Sequence, residues 1–278
     1  HDDVLATISD ILRFLPNHNE NEPPFTVTSD PVNRKTPEAG ELLPDTPTGS
    51  YDVRDVISIV VDDNDFLELR GGWAANLVTG FGTMGGRPVG LVANQPMAIA
   101  GTLDIPASQK GARFVAMCDA FNLPIITLVD TPGFYPGKDL EWRGMIRHGA
   151  QMAFAYARAT VPRISLVLRK SYGGAFIVMD SKTMGNDAYL AWPTAEIAVM
   201  GATQAAQILQ RGETDETIAT WVEEYEETYL NPYIGAERGF VDAVIDPADT
   251  RKELIDLIDL FSSKREQLQQ RRHDNSPL

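Results

Sequence analysis

Two short, almost continuously apolar segments constrain the fold of this chain more than any other feature. Ile125–Val129 and Ile164–Leu168 follow helical patterns at Lys110–Phe121 and Glu141–Ala159, and a proline stands shortly before each apolar segment. Strands without polar alternation are typical of a parallel sheet that is covered by helices on both faces. The chain is therefore predicted to be an α/β protein with a mostly parallel sheet.

The rest of the body alternates between helical and strand patterns in the same way. Leu77–Met84 and Arg87–Ala93 flank Gly85-Gly86, a pair that is typical of a tight hairpin turn. The other predicted elements are helices at Asp52–Ser58, from Gly174, at Thr217–Glu227 and at Thr250–Arg271, and strands at Asp65–Arg70, Ala188–Trp192 and Glu196–Met200. The acidic residues around Thr217–Glu227 are interpreted as a solvated helix face. The alternative is a docking surface for a partner subunit.

The first fifty residues differ from the rest in composition. Residues 1–15 are predicted to form a helix that ends at Pro16, because apolar side chains recur there at helical spacing. Residues 16–50 hold seven of the 18 prolines, so they are predicted to be an interdomain linker without regular structure. We expect the helix to be left over from a missing N-terminal domain, and residues 51–278 to form a second, C-terminal domain.

Charge and composition exclude several classes of function. The 278 residues carry 39 acidic and 24 basic side chains, a net charge of −15, which disfavours nucleic acid as a partner. No apolar run approaches the roughly 20 residues that a membrane span needs. The single cysteine, Cys118, rules out an intrachain disulfide and indicates a reducing compartment, so a cytoplasmic location is expected. Cys118 lies within a helical pattern and is predicted to be buried and inert.

Common catalytic motifs are missing from the sequence. There is no H-E-x-x-H, C-x-x-C, G-x-S-x-G or Walker A pattern, and of four histidines only His148 lies in the body of the chain. His148 is interpreted as a hydrogen-bonded structural residue, with a general base as the alternative. Gly80, Gly82 and Gly85 match G-x-G-x-x-G, but a strand follows them rather than a helix, so a hairpin is favoured over a nucleotide site.

Two glycine clusters directly follow the two apolar strands. Asp130–Gly137 comes after the first strand, and Arg169–Phe176 comes after the second. Ligands bind at the carboxyl ends of strands in open α/β sheets, and Gly174-Ala175 at the start of a helix would expose backbone N–H groups that can stabilise a negative oxygen. The alternative is that both clusters are only tight turns between strand and helix.

Several segments in order carry a resemblance to a known family. They are Gly80-Phe81-Gly82, Asn94-Gln95-Pro96, Lys110–Phe114, Cys118–Asn122, Pro132-Gly133-Phe134, Tyr172–Ala175, Ala191–Gly201 and Ala236–Asp242. From about Tyr51 to Leu260 the chain strongly resembles the C-terminal domain of the carboxyltransferase (beta) subunit of biotin-dependent acetyl-/propionyl-CoA carboxylases. The resemblance implies a crotonase-like (ClpP/crotonase) fold, a superhelix of β-β-α turns.

The resemblance also implies a shared active site and several partners. In this family the N-terminal domain of one protomer supplies most of the acyl-CoA site, and the C-terminal domain of its partner receives carboxybiotin. The backbone hole for the biotin oxygen then falls on Gly174 and Ala175, and Gly133, Phe134, Tyr172 and Gly173 would line the same cleft. Biotin would arrive on a separate carrier protein, a separate biotin carboxylase subunit would use ATP, no metal is expected in this chain, and the family forms homo-oligomers of dimers within a hexamer.

One departure from the family pattern bears on the substrate. Propionyl-CoA members often carry an acidic residue two positions after the Gly-Ala pair, where this chain has Ile177. The sequence therefore favours conversion of acetyl-CoA to malonyl-CoA, as in fatty acid biosynthesis, with propionyl-CoA as the alternative substrate. A core isoleucine is the alternative interpretation of Ile177. The other hypotheses for function are a biotin-dependent decarboxylase and a non-catalytic scaffold that docks a biotin carrier.

Overall fold

A single mixed sheet of eight strands organises the molecule, which is known from a computed structural model that describes residues 2–46, 48–267 and 276–277. The strands are β1 (Phe66–Glu68), β2 (Leu77–Met84), β3 (Arg87–Asn94), β4 (Ile125–Thr131), β5 (Arg163–Tyr172), β6 (Ala188–Ala191), β7 (Glu196–Ala198) and β8 (Ala243–Val244). Their order in the sheet is β1-β2-β3-β4-β5-β6-β8, and β7 pairs with the end of β5.

Helices cover both faces of this sheet. They are α1 (Asp2–Leu12), α2 (Pro37–Glu41), α3 (Val53–Val60), α4 (Ile105–Ala120), α5 (Lys138–Trp142), α6 (Met145–Arg158), α7 (Gly173–Val178), α8 (Ala202–Leu209), α9 (Asp215–Tyr229), α10 (Pro232–Glu237) and α11 (Thr250–Phe261). One core cluster packs α4, α6 and α7 on one face, and a second packs α3 and α11 on the other. Within the described ranges, none of these helices has the length and apolar character that crossing a membrane requires.

The two apolar segments form the centre of the sheet, as predicted. All residues of β4 are buried, as are all but one of β5, and the β3–β4, β4–β5 and β5–β6 pairs are parallel. The predicted hairpin is also confirmed, because β2 and β3 are antiparallel and Gly85 and Gly86 both have positive φ, +58° and +79°. Two positive φ angles in succession are what a two-residue hairpin turn requires.

Several predicted elements have different boundaries in the structure. The helix predicted at Glu141–Ala159 is divided into α5 and α6 at Gly144, which has a left-handed φ of +89°. The helix predicted from Thr250 ends at Phe261, and its predicted residues 268–271 lie outside the described residues. Three short elements, α8, α10 and β8, were not predicted from the sequence.

The proline-rich segment 16–50 packs against the body of the protein. The N–H of Thr26 donates to the carbonyl of Gly86 at 2.8 Å, and the N–H of Thr36 donates to the carbonyl of Ala248 at 2.8 Å. The expectation that this segment lacks regular structure is wrong for α2, which begins at Pro37. Proline is well suited to the first turn of a helix, where its missing N–H has no partner to lose. The assignment of residues 1–50 to a helix remnant and a linker stays a prediction.

Cys118 lies inside the first core cluster, as the sequence predicts. Its side chain has no exposed surface, and a Cβ built on Gly90 would lie 2.3 Å from its Sγ. Burial raises the pKa of the Cys118 thiol, so the reactive thiolate is suppressed.

We expect Cys118 to resist alkylation in the folded protein. With iodoacetamide at pH 8, intact mass should show no adduct in buffer and one complete adduct after unfolding in guanidinium, because only unfolding exposes the thiol. Native labelling at the rate of the unfolded chain would contradict the inert assignment.

Candidate functional site

The two glycine clusters meet at the carboxyl ends of β4 and β5. In the sheet, Thr131 of β4 is paired with Ser171 of β5. Gly133 and Gly173 each follow two residues after this pair, so the two clusters leave the sheet side by side. The structure thus brings together the segments that the sequence analysis singled out separately.

Phe134 connects the first cluster to the second. A Cβ built on Gly174 would lie 3.4 Å from Cε2 of Phe134, and one built on Gly149 of α6 would lie 2.9 Å from its Cζ. The ring therefore packs between α6 and the start of α7, and a Cβ at Gly149 would collide with it, whereas one at Gly174 would make an ordinary contact. The loop itself is held by Leu103, whose N–H donates to the carbonyl of Gly133 at 3.1 Å and whose carbonyl accepts from Tyr135 at 2.8 Å.

The start of α7 presents backbone toward this loop. Gly173 has a φ of +62°, a conformation that favours glycine, and Gly174 is exposed while Ala175 is buried. The first N–H groups of a helix have no acceptor within it. A negative oxygen near Gly174 would find these donors together with the positive end of the peptide dipoles.

Tyr172 and Ile177 differ in exposure at this turn. Tyr172 is buried at the end of β5, and its hydroxyl donates to the carboxylate of Glu196, whose pKa is raised by burial. Ile177 is 43% exposed on α7. Its interpretation as a core residue is therefore wrong.

A buried charged cluster lies directly behind the two loops, and the sequence analysis did not assign it. Asp130 and Arg169 form an ion pair at 3.1 Å, with side chains 2% and 9% exposed, and the hydroxyl of Tyr51 donates to Asp130 at 2.9 Å. Burial raises the pKa of Asp130, and the positive charge of Arg169 opposes that increase. The signal in the sequence is a charged residue placed directly after each apolar run.

The site has features that fit biotin, the group implied by the resemblance. A Cβ built on Gly133 would meet no atom within 4 Å, so there is open space beside the loop. A cleft of about 410 Å³ lies next to this loop, where Phe134, Tyr135, Met145 and Val178 line it together with the charged side chain of Glu141. A mostly apolar cleft beside exposed backbone donors suits an uncharged ring that presents one polar oxygen.

Two further features of the sequence are His148 and the potential metal ligands. His148 is buried, with Nδ1 3.1 Å from Oε1 of Gln151 and 3.2 Å from Nε2 of Gln109, which agrees with a structural role. In the part of the chain that the structure describes, no three His, Cys, Asp or Glu side chains are grouped closely enough to hold a metal ion.

Comparison with known proteins gives consistent matches over the whole chain. A propionyl-CoA carboxylase beta chain of Saccharopolyspora erythraea is 48% identical over 295 residues, covering 100% of this chain and 54% of the relative. A methylmalonyl-CoA carboxyltransferase 12S subunit of Propionibacterium freudenreichii subsp. shermanii is 47% identical, covering 96% of this chain and 52% of the relative. A methylmalonyl-CoA decarboxylase subunit alpha of Veillonella parvula is 45% identical, covering 100% of this chain and 54% of the relative.

A solved structure has the same fold. The crystal structure of transcarboxylase 12S, described as a hexamer with methylmalonyl-coenzyme A and methylmalonic acid bound, superimposes with a TM-score of 0.93 at 47% identity. The match covers 98% of this chain and 53% of that chain. The expected crotonase-like carboxyltransferase fold is therefore confirmed.

The family comparison agrees with the fold. A family model described as the carboxyl transferase domain matches residues 1–276. The chain spans about half the length of the curated relatives that it matches. The glycine loops, the sheet that carries them and these matches together show that the chain belongs to the carboxyl transferase domain family.

Proposed function

We propose that this chain is the biotin-side half of a carboxyltransferase that moves a carboxyl group between biotin and a short acyl-CoA. The observation that carries this proposal is the meeting of the Gly133-Phe134 loop with the start of α7 at the ends of β4 and β5. Membership of the carboxyl transferase domain family supports it.

We assign the backbone N–H groups of Gly174 and Ala175 as donors to the biotin oxygen. Biotin, when bound, supplies the carboxyl group and the ureido oxygen on which negative charge grows as that group leaves. Gly174 is exposed, and its lack of a side chain lets a ligand approach the backbone. We assign Gly133, Phe134, Tyr172 and Gly173 to the walls of the biotin site, where exclusion of water would strengthen hydrogen bonds to a charged oxygen.

The acyl-CoA is proposed to be propionyl-CoA, with methylmalonyl-CoA as the carboxylated form. Ile177 alone favours acetyl-CoA, but the relatives described above are named for propionyl-CoA and methylmalonyl-CoA. Their names therefore outweigh the single substitution, and the prediction of malonyl-CoA and fatty acid biosynthesis is set aside. The exposed position of Ile177 on α7 agrees with contact to a ligand rather than to the core.

The proposed partners follow from the family. They are a biotin carrier, a biotin carboxylase subunit that uses ATP, and further copies of the subunit, as in the transcarboxylase 12S hexamer. The similarity to the Veillonella relative supports a second candidate function, a biotin-dependent decarboxylase. Such an enzyme would perform the same carboxyl transfer in the opposite direction.

The reverse reaction tests this proposal. Methylmalonyl-CoA is mixed with a soluble biotin analogue and either this chain or a subunit of the relatives' full length, and propionyl-CoA is measured by chromatography. We expect turnover that requires biotin with the full-length subunit and none with this chain alone, because the acyl-CoA side of the site is proposed to lie in the other half. Malonyl-CoA serves as the competing substrate.

Each outcome distinguishes one hypothesis. Absence of biotin-dependent turnover in the full-length subunit would overturn the assignment and favour a non-catalytic scaffold. Robust turnover by this chain alone would overturn the shared site. A preference for malonyl-CoA would restore the substrate choice based on Ile177.

A further inference from the structure

The pairing between β4 and β5 is interrupted just before the two glycine loops. Val129 pairs with Val167, and the next pair is Thr131 with Ser171. Between these pairs β4 contributes one residue, Asp130, whereas β5 contributes three, 168–170. The two strands are therefore offset by two residues on either side of the irregularity.

This offset decides which residues of the two loops face each other. If the first register continued, Thr131 would pair with Arg169, and Gly133 would lie level with Ser171. A strand rises about 3.3 Å per residue, so Gly173 and Gly174 would move along the sheet by about 7 Å relative to Phe134. A displacement of this size would separate Phe134 from Gly174, whose built Cβ lies 3.4 Å from Cε2 of the ring in the observed register.

Asp130 bridges the irregularity with its side chain. Its Oδ1 accepts the N–H of Lys170 at 3.2 Å, so a carboxylate replaces the backbone acceptor that the interrupted ladder does not provide. Its Oδ2 accepts from Nε of Arg169 at 3.1 Å and from the hydroxyl of Tyr51 at 2.9 Å. The side chain is 2% exposed, so these contacts are made without competition from water.

Arg169 and Tyr51 complete the cluster from the other side. The guanidinium of Arg169 lies 5.4 Å from the centre of the Tyr51 ring, and its Nη1 donates to the carbonyl of Gly49 at 2.9 Å. The charge of Asp130 is thus paired with the guanidinium of Arg169, and both side chains are also held by residues that lie before the first strand. Two of the partners of the carboxylate, Arg169 and the N–H of Lys170, belong to the shifted residues 168–170 themselves.

We propose that Asp130 is a positioning residue that sets the register of the two site loops, and thereby the placement of Gly174 against Phe134. This inference rests on the proposed function, because its consequence is measured at the biotin side of the site. Asp130 contacts neither loop glycine, so it acts through β5.

The test compares Asp130→Asn with a matched buried carboxylate elsewhere. Asp62 is also buried and accepts from one guanidinium, that of Arg251, and from the N–H groups of Gly85 and Gly86. It lies at the β2–β3 hairpin, at the opposite end of the parallel strands. Asp62→Asn therefore controls for the loss of a buried negative charge.

Both variants are made in the full-length subunit, and kinetics are measured at a temperature where circular dichroism shows each to be folded. For Asp130→Asn we expect kcat/KM for the biotin analogue to fall by about tenfold or more, since small misplacements of reacting groups have effects of this size. KM for the acyl-CoA should change by less than about twofold, because that half of the site is not displaced. Asp62→Asn should leave both constants near the parent values.

Three results separate this proposal from the proposed function. Parent-like kinetics for Asp130→Asn would overturn the positioning role. This holds even if Gly174→Pro, which removes a proposed N–H donor, loses turnover. An equal loss in Asp62→Asn would show a general effect of stability and also overturn it. If neither Gly174 nor Asp130 variants alter biotin-dependent turnover, the assignment of the biotin site itself fails. Should Asp130→Asn not fold, Tyr51→Phe removes one hydrogen bond to Asp130 and serves instead. It is expected to lower kcat/KM for the biotin analogue by a smaller factor, again with little change in KM for the acyl-CoA.

Discussion

Gly174→Pro is expected to abolish biotin-dependent carboxyl transfer in the full-length subunit, with a loss of about 10²–10³ in kcat or more. The substitution removes the N–H that is proposed to stabilise the biotin oxygen. Proline is tolerated in the first turn of a helix, so α7 can still form. The loss would therefore reflect a missing donor rather than an unfolded helix.

Gly174→Ala is the matched control for this experiment. It keeps the N–H and adds a Cβ that would lie 3.4 Å from Cε2 of Phe134, an ordinary contact that needs little adjustment. We expect this variant to keep turnover within about tenfold of the parent, because one methyl group at an open site has a modest effect. Near-normal turnover by Gly174→Pro, measured in the reverse reaction, would exclude this N–H as a donor.

Arg251→Leu is expected to lower the free energy of unfolding by about 3–5 kcal/mol. The Arg251 side chain has no exposed surface and donates to Oδ1 of Asp62 at 2.6 Å and to the carbonyl of Val60 at 2.8 Å. It also donates to the carbonyls of Asp30 and Pro31, at 3.3 and 3.2 Å. Leucine fills similar space but leaves the Asp62 carboxylate buried without a cation.

The measurement is urea unfolding followed by circular dichroism, with Arg265→Leu as the control. Arg265 also pairs with an acid of the N-terminal segment, Glu22 at 3.4 Å, but the two side chains are 69% and 85% exposed. Exposed pairs contribute little, so Arg265→Leu should change the unfolding free energy by less than about 1 kcal/mol. Equal effects of the two substitutions would contradict the argument from burial.

Sequence patterns predicted the centre of the fold because the features that specify it lie within short stretches of the chain. The continuous apolar character of β4 and β5 reflects burial on both faces, and Gly85-Gly86 specifies its own turn. The order of the loops after these strands left two tight turns as the alternative, and the family resemblance is what indicated Gly133 and Gly174 as parts of one proposed cleft. The fold and the family were therefore accessible before any coordinates.

The remaining features depend on partners that are distant in the chain. The hydrogen bond from Lys170 to Asp130 spans 40 residues, and the register shift that it accompanies has no local signature. The packing of segment 16–50 depends in part on Arg251, whose contact with Pro31 spans 220 residues. Proline content predicted a segment without regular structure, which is wrong at α2, and it carries no information about such contacts. The exposure of Ile177 likewise depends on how α7 lies on the sheet.

The attachment of segment 16–50 has a practical consequence for shortened versions of the protein. A chain designed to begin at Tyr51 would lack Gly49, whose carbonyl accepts from Arg169 at the loop end of the sheet. It would also lack Asp30 and Pro31, whose carbonyls accept from Arg251 at the hairpin end. One truncation would thus leave two buried guanidinium groups short of acceptors, at opposite ends of the sheet. A minimal fragment should therefore start before Asp30 if it is to retain both the stability and the loop geometry of the longer chain.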